Sequence, residues 1–234
     1  YGVSEEQLAI NPTFNEAGER NGKTPYENET DNYWQTHYQL FYNKKINSKW
    51  NFNSSIFTTT GRGYYEQYKE AQNFTDYGIK SPIINGRTVE ETDLIRQLWL
   101  NNIFYGTNIS TQYKNQQREI TFGGNLSMYD GNHFGKIIWA DIKIPKDYKW
   151  YNLTAHKNEQ SMYGKWIEKV GNFQLFGDLQ IRNVQYQING FRGNPMLTIN
   201  RQWTFINPKT GIRYTKNDVS TYVSYAKASK EPNR

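Results

Sequence analysis

Cysteine is absent from the 234 residues. That excludes disulfides, thiol catalysis and thiolate metal sites. Long apolar runs are absent too. No stretch approaches the eighteen or so residues that a spanning helix requires, and a mean hydropathy of −0.92 excludes a helical membrane protein. Ala, Leu and Glu are too sparse for a helical fold. The chain carries a net charge of +6, but no basic run exceeds two residues. Lys44, Lys45, Arg62, Arg96, Lys136, Lys165, Arg182 and Arg213 are scattered, so the clustered cations of a nucleic-acid surface are missing. The three histidines, His37, His133 and His156, lack metal-ligand spacing. Asp130-Gly-Asn132 opens like a calcium loop, but no downstream carboxylates complete it. No Gly-rich phosphate loop and no Gly-x-Ser-x-Gly elbow occurs, so nothing points to an enzyme, a cofactor or a bound metal.

Aromatic residues are abundant, at 16%, with Tyr 19 and Trp 7. They recur at every other position in segments of roughly ten residues, the period of a strand with two unlike faces. The clearest pair spans about 96–113 and 118–129. Ile103, Tyr105, Thr107, Ile109, Thr111 and Tyr113 share one face, against Asn102, Asn108, Ser110 and Gln112. Ile120, Phe122, Leu126 and Met128 then oppose Glu119, Thr121, Asn125 and Ser127. Six further strands are expected at about 32–42, 50–60, 159–169, 173–186, 202–214 and 219–228. Asp178 and Arg182 fall on one face, which requires water or ion pairing there. Pro208 predicts a bulge or an edge, because proline cannot donate to a ladder.

The connectors alternate. Tight turns at 43–49, 114–117, 170–172 and 216–218 separate expected long loops at 61–93, 130–158 and 187–200, with 1–31 a further loop. Short turns at one end and long loops at the other are the pattern of an outer-membrane barrel, where only alternate residues meet lipid. The expected fold is all-β. It is an antiparallel, up-and-down, transmembrane β-barrel segment of about eight strands, with short periplasmic turns and long extracellular loops. Residues 1–234 form one partial barrel domain.

Several segments resemble TonB-dependent outer-membrane receptors of the Bacteroidetes type. They are Asp31-Asn-Tyr-Trp-Gln35 with Gln39-Leu-Phe-Tyr42, Gly61-Arg-Gly-Tyr-Tyr-Glu-Gln-Tyr-Lys69, Leu94-Ile-Arg-Gln-Leu-Trp-Leu100 and Tyr129-Asp-Gly-Asn-His-Phe-Gly135. Phe176-Gly-Asp-Leu-Gln-Ile-Arg182, Asn189-Gly-Phe-Arg192, Phe205-Ile-Asn-Pro-Lys-Thr-Gly211, Ser224-Tyr-Ala226 and Lys230-Glu-Pro-Asn-Arg234 follow in the same order. The resemblance implies a section of a barrel of about 22 strands, with the plug and closing strands outside this sequence. It implies import of a scarce nutrient, a ferric siderophore or other metal chelate, as a small-molecule ligand. The partners it implies are outer-membrane lipid, the TonB complex through an N-terminal part outside this sequence, and in one glycan-importing branch a surface lipoprotein.

Ligand candidates are aromatic residues beside cations where strands enter loops. Arg62, Tyr64, Tyr65 and Tyr68, followed by Arg96 and Trp99, could hold an aromatic or anionic chelate by stacking and charge-assisted hydrogen bonds. The other reading of the same residues is an interfacial aromatic girdle. Trp139 could stack on a sugar or chelate ring, or pack within its loop. His133 could serve a haem receptor as an axial ligand, or simply belong to the Asp-Gly-Asn turn. Two alternatives to metal-chelate import stand beside it: glycan import on the same fold, and a soluble, secreted carbohydrate-binding module. In a barrel Leu40, Phe52, Ile109, Phe122, Leu126, Leu175, Leu179, Ile212 and Val223 face out. In a soluble sandwich they face each other.

Overall fold

A computed structural model describes residues 4–12, 26 and 28–232. The sequence forms eight long antiparallel strands, β1 (Asp31–Lys45), β2 (Trp50–Asn73), β5 (Glu91–Lys114), β6 (Arg118–Ala140), β7 (Tyr148–Val170), β8 (Phe173–Phe191), β9 (Asn194–Lys216) and β10 (Val219–Ala226). They make one sheet in which neighbours in the chain are neighbours in space, β1-β2-β5-β6-β7-β8-β9-β10. A small second sheet pairs β3 (Ile83–Ile84) with β4 (Arg87–Thr88). Its turn is Asn85-Gly86, both with positive φ, as a two-residue type I′ turn demands.

The tight turns fall at the expected places, but the long loops do not survive at the expected lengths. β2 continues to Asn73 and β5 begins at Glu91, so 61–93 shrinks to an irregular stretch from 74 to 90. β6 reaches Ala140 and β7 starts at Tyr148, which cuts 130–158 to 141–147. Residues 187–200 are almost all strand, joined by a two-residue turn at 192–193 after a bulge between Asn189 and Phe191. Strands of 23 and 24 residues are more than twice the 9–11 needed to cross a bilayer. Beyond the hydrocarbon neither face needs to be apolar, so the period-two signal fades while the hydrogen-bond ladder continues. Within the expected loop 1–31 a short helix, α1 (Glu5–Ile10), is started by the Ser4–Gln7 capping box. The parts of that loop at 1–3, 13–25 and 27 lie outside the described residues.

The chain divides into two compact units. One comprises Gln35–Thr60, Asn102–Gly131 and Thr154–Arg234. Its sheet has one apolar and one polar face, set by register. Met162, Ile181 and Ile206 lie opposite one another across β7, β8 and β9, as do Gly164, Leu179 and Pro208. Leu175, Ile212 and Val223 continue the apolar face onto β10. The Phe122 ring covers Gly164, its Cε1 3.4 Å from where a Cβ would stand. Among the described residues these side chains pack against no second sheet: Phe122 is 58% exposed and Val223 73% exposed. A sandwich would bury them, and the inward packing expected of one is not seen. Pro208 causes no bulge. It pairs in register with Leu179, and its carbonyl accepts from Lys227 N at 3.0 Å. The reciprocal bond is the one that proline cannot donate, and β10 stops one residue short of it, at Ala226.

The other unit comprises the described residues of Tyr1–Trp34, with Gly61–Asn101 and Asn132–Leu153. Here the connections fold back on their own strands. A one-turn 3-10 helix, Phe74–Tyr77, ends at the left-handed Gly78. It delivers Tyr77 onto Leu94 and Ile137, with Ile79, Ile144, Tyr148 and Trp150 around them. Tyr148 also donates its hydroxyl to the Tyr77 carbonyl at 3.1 Å.

Phe122→Arg or Leu179→Arg is expected to lower the unfolding free energy in lipid by about 2–4 kcal/mol. Urea titration of the membrane-inserted protein measures this. Full tolerance of both changes would overturn the assignment of the apolar face.

Candidate functional site

In the second unit, Trp99 sits at the centre of a ladder of rings. Tyr64 lies 4.5 Å from it between ring centroids, and Phe134 stacks on it at 5.7 Å with a 4° interplanar angle. Three cations lie over these faces: Arg62 and Lys136 over Trp99, at 5.1 and 5.7 Å, and Lys149 over Phe134 at 4.4 Å. Trp99 and Phe134 each present a negative face to a cation. Lys136 also pairs with Asp147 at 3.7 Å.

A buried carboxylate holds the ladder in place. Glu66 is 3% exposed. It accepts from the Tyr26 hydroxyl, from Asn28 Nδ2 at 2.8 Å and from Gln97 Nε2 at 2.6 Å. Gln97 in turn accepts the Trp99 indole N–H at 2.9 Å, which sets the plane of the ring. The donors to Glu66 are neutral, and together they meet its hydrogen-bonding demand without a counter-ion. Burial, and then the hydrogen bond to Glu66, raise the Tyr26 pKa above its ordinary value. Glu66 escaped the sequence reading because nothing in its spacing marks it as buried.

The expected site residues therefore separate. Arg62, Tyr64 and Trp99 come together. Tyr68 stands apart, donating to Asp93 Oδ2 at 2.5 Å and stacking on Trp139 at 6.4 Å. Arg96 turns to other partners: Nε and Nη2 donate to Gln67 Oε1 at 3.1 and 2.9 Å, and Nη1 to the Tyr77 hydroxyl at 3.0 Å. Tyr65 is partly exposed on β2, and His133 is partly buried in β6 between Asn132 and Phe134. Among the described residues no group of three or more His, Cys, Asp or Glu is placed to hold a metal ion.

The first unit carries a charged cluster on its polar face. Arg182 grips Glu159 through Nε and Nη2, at 2.9 and 2.8 Å. Lys157 Nζ lies 2.6 Å from Glu231 Oε1 and 3.8 Å from Glu159 Oε2. Asp178 is not the partner of Arg182. It stands in register between Lys165 and Lys209. The ion pairing expected of this face is present, with Glu159 and Glu231 as its acids. Glu231 comes from residues 227–232, which leave β10 and are held by a reciprocal pair: Ser229 N donates to Asn207 Oδ1 at 2.8 Å, and Asn207 Nδ2 to Ser229 O at 3.3 Å.

Burial alone pushes the Glu231 carboxyl up. The hydrogen bond from Lys157, a backbone N–H and the charges of Lys157 and Arg182 outweigh it and pull the group down to about 2. A carboxyl lowered from 4.5 stabilises the docked segment fully above that pH and ceases to do so as pH falls through about 2. Hydrogen exchange at the Ser229 amide should stay protected down to about pH 4 and lose protection towards pH 2. A release centred near 4.5 would contradict the pairing.

No protein family matches the sequence. No curated protein matches it either. Solved structures do match in shape. The copper transporter OprC aligns with a TM-score of 0.60 at 11% identity, over 85% of this chain and 30% of that one. The ferric preacinetobactin receptor BauA from Acinetobacter baumannii gives 0.53 at 9%, over 83% and 30%. The closed form of the ferric-catecholate import receptor Fiu from E. coli K12 gives 0.51 at 12%, over 95% and 36%. The chain spans about a third of the length of these proteins, and at such identities the likeness is one of fold. That fold is an antiparallel β-barrel wall, of which this chain covers a part.

Proposed function

We propose that the chain is a section of the barrel of a TonB-dependent receptor in a bacterial outer membrane, importing a scarce nutrient as a metal chelate, a ferric siderophore first. The observation that carries this reading is the division of one sheet into an exposed apolar face and a polar, ion-paired face. Lipid covers the first and the import path runs along the second. The fold neighbours include a copper transporter and two ferric-chelate receptors by name. The chain's role is scaffold and ligand contact, not catalysis, and its scattered cations suit no nucleic acid. The resemblance to Bacteroidetes-type receptors suggests the bacterial group. TonB acts through another part of the receptor, and a surface lipoprotein is a partner only in the glycan-importing branch.

Arg62, Tyr64 and Trp99 are the favoured ligand contacts, with Lys136 and Lys149 added. A catecholate chelate is aromatic, flat and anionic, and a ring ladder under three cations offers stacking and charge together. Tyr65, Tyr68, Arg96, His133 and Trp139 rank below them. Tyr68, Arg96 and Trp139 are engaged with other protein groups, and Tyr65 and His133 stand outside the ladder.

The test uses the bacterium that makes the protein. Deleting the gene should abolish growth on at least one ferric chelate as sole iron source, and the protein should fractionate with the outer membrane. Trp99→Ala should reduce uptake of that chelate about tenfold, the scale of one lost stacking contact, at unchanged protein level. Unimpaired growth of the deletion strain on copper and every iron chelate tried would sink metal-chelate import.

A further inference from the structure

The charged cluster on the polar face holds two cations, Lys157 and Arg182, and two carboxylates, Glu159 and Glu231. The carboxylates are not equivalent. Glu159 lies on β7 and meets Arg182 in a bidentate fork across the sheet, at 2.9 and 2.8 Å. Its position is set by the ladder. Glu231 arrives on a segment without regular structure, held by the Ser229–Asn207 pair and the bond from Lys227 N to the Pro208 carbonyl. Taking Glu231 away leaves two positive charges against one negative, a site short by one anion.

Glu231 also fits imperfectly. Oε1 accepts from Lys157 at 2.6 Å and meets Arg182 Nη2 at 3.5 Å. Oε2 is paired in charge with Arg182 Nη2 at 3.3 Å but outside hydrogen-bonding geometry, and it is buried without a hydrogen-bond partner. The tether fixes where the Glu231 backbone stands and so limits where its carboxylate can reach. A free carboxylate has no such constraint. Beside the cluster, a cavity of about 130 Å³ is lined by Phe104, Ser127, Tyr129, Lys157 and Glu159. It has room for about four waters at ~30 Å³ each, or for the few atoms that carry a ligand's carboxylate.

We propose that Lys157 and Arg182 form a carboxylate-binding subsite on the polar face, and that Glu231 is an internal occupant which a carboxylate-bearing ligand displaces. This rests on the reading that the polar face lines the import path. It narrows the ligand class to chelates with at least one free carboxylate. Displacement exchanges one carboxylate for another, so the charge of the cluster is unchanged. What is lost is the docking of residues 227–232, and that frees the backbone around Lys227 and Lys230, whose side chains are already exposed.

The probe is glutarate, one end of which presents the Glu side chain's carboxylate as part of a free molecule while its second carboxylate stays outside the cluster, with the uncharged diamide glutaramide as control. Both are titrated at pH 7 into the detergent-purified protein as its host makes it. In the wild type a tethered competitor at millimolar effective concentration opposes binding. Glu231→Gln removes the competing charge and keeps the shape, so half-saturation by glutarate should fall about tenfold. Adding Lys157→Gln to that variant should undo the gain. Saturating glutarate should also speed trypsin cleavage after Lys227 and Lys230 in the wild type, and glutaramide should not. Heat-modifiable migration of each variant checks that the barrel is intact.

Glutarate binding no tighter in Glu231→Gln than in wild type, or matched by glutaramide, overturns the subsite. If the barrel is intact and the tail is insensitive to glutarate, Glu231 is a structural latch and nothing more. Neither result bears on the receptor reading, which stands or falls on outer-membrane fractionation and chelate-dependent growth.

Discussion

A strand cannot satisfy its own backbone. Every N–H and C=O along these 19 to 24 residue strands needs a partner on the next strand, and in a hydrocarbon surround no water substitutes for it. Strictly sequential antiparallel pairing meets that demand with the shortest connections, and β1-β2-β5-β6-β7-β8-β9-β10 is that order. Pro208, in the middle of β9, cannot take full part, and it sits where its missing donor has no strand to face. β1 and β10 each keep one free edge in the described sheet, which is where such a sheet accepts further strands.

Register then decides everything about the faces. Opposite residues on paired strands point the same way, so aligning Met162, Ile181 and Ile206 also aligns Ser161, Arg182 and Phe205 on the reverse side. A slip of one residue would carry Arg182 to the apolar face and Ile181 to the polar one. The ion pairs reinforce the correct register, because the bidentate Arg182–Glu159 contact exists in that alignment alone. In the other unit the stabilising device differs. Tyr77, Leu94 and Ile137 build a small buried core between connections and strands, and Glu66 ties Tyr26 and Asn28 to β2 and β5 through neutral hydrogen bonds.

Strand existence, the tight turns and the apolar face were legible in the sequence, because alternation is imposed residue by residue where one face is apolar. Strand ends were not. Residues 61–73, 130–140 and 187–200 have mixed polarity on both faces, yet the ladder simply continues through them. The Asn85-Gly86 hairpin and the Ser4–Gln7 capping box carried usable local signals that a long-loop reading passed over. Of the candidate site, Arg62 and Tyr64 carry a signal at the end of one strand and Trp99 a separate one at the start of the next; the sheet brings them together. Glu66, Gln97, Phe134 and Lys149 were not seen, since their roles come from cross-strand neighbours 31 to 38 residues away or from rings on another strand.

The sequence by itself determined an all-β chain without thiol chemistry, an apolar stripe at period two, and the positions of the short turns. Those are properties of single segments, written in composition and alternation. Only the tertiary structure decided how far each strand runs, that the apolar stripe meets no second sheet, and that Arg182 pairs with Glu159 and Glu231 instead of Asp178. These depend on which residue stands opposite which, and a register between strands is a pairwise quantity that no single segment contains.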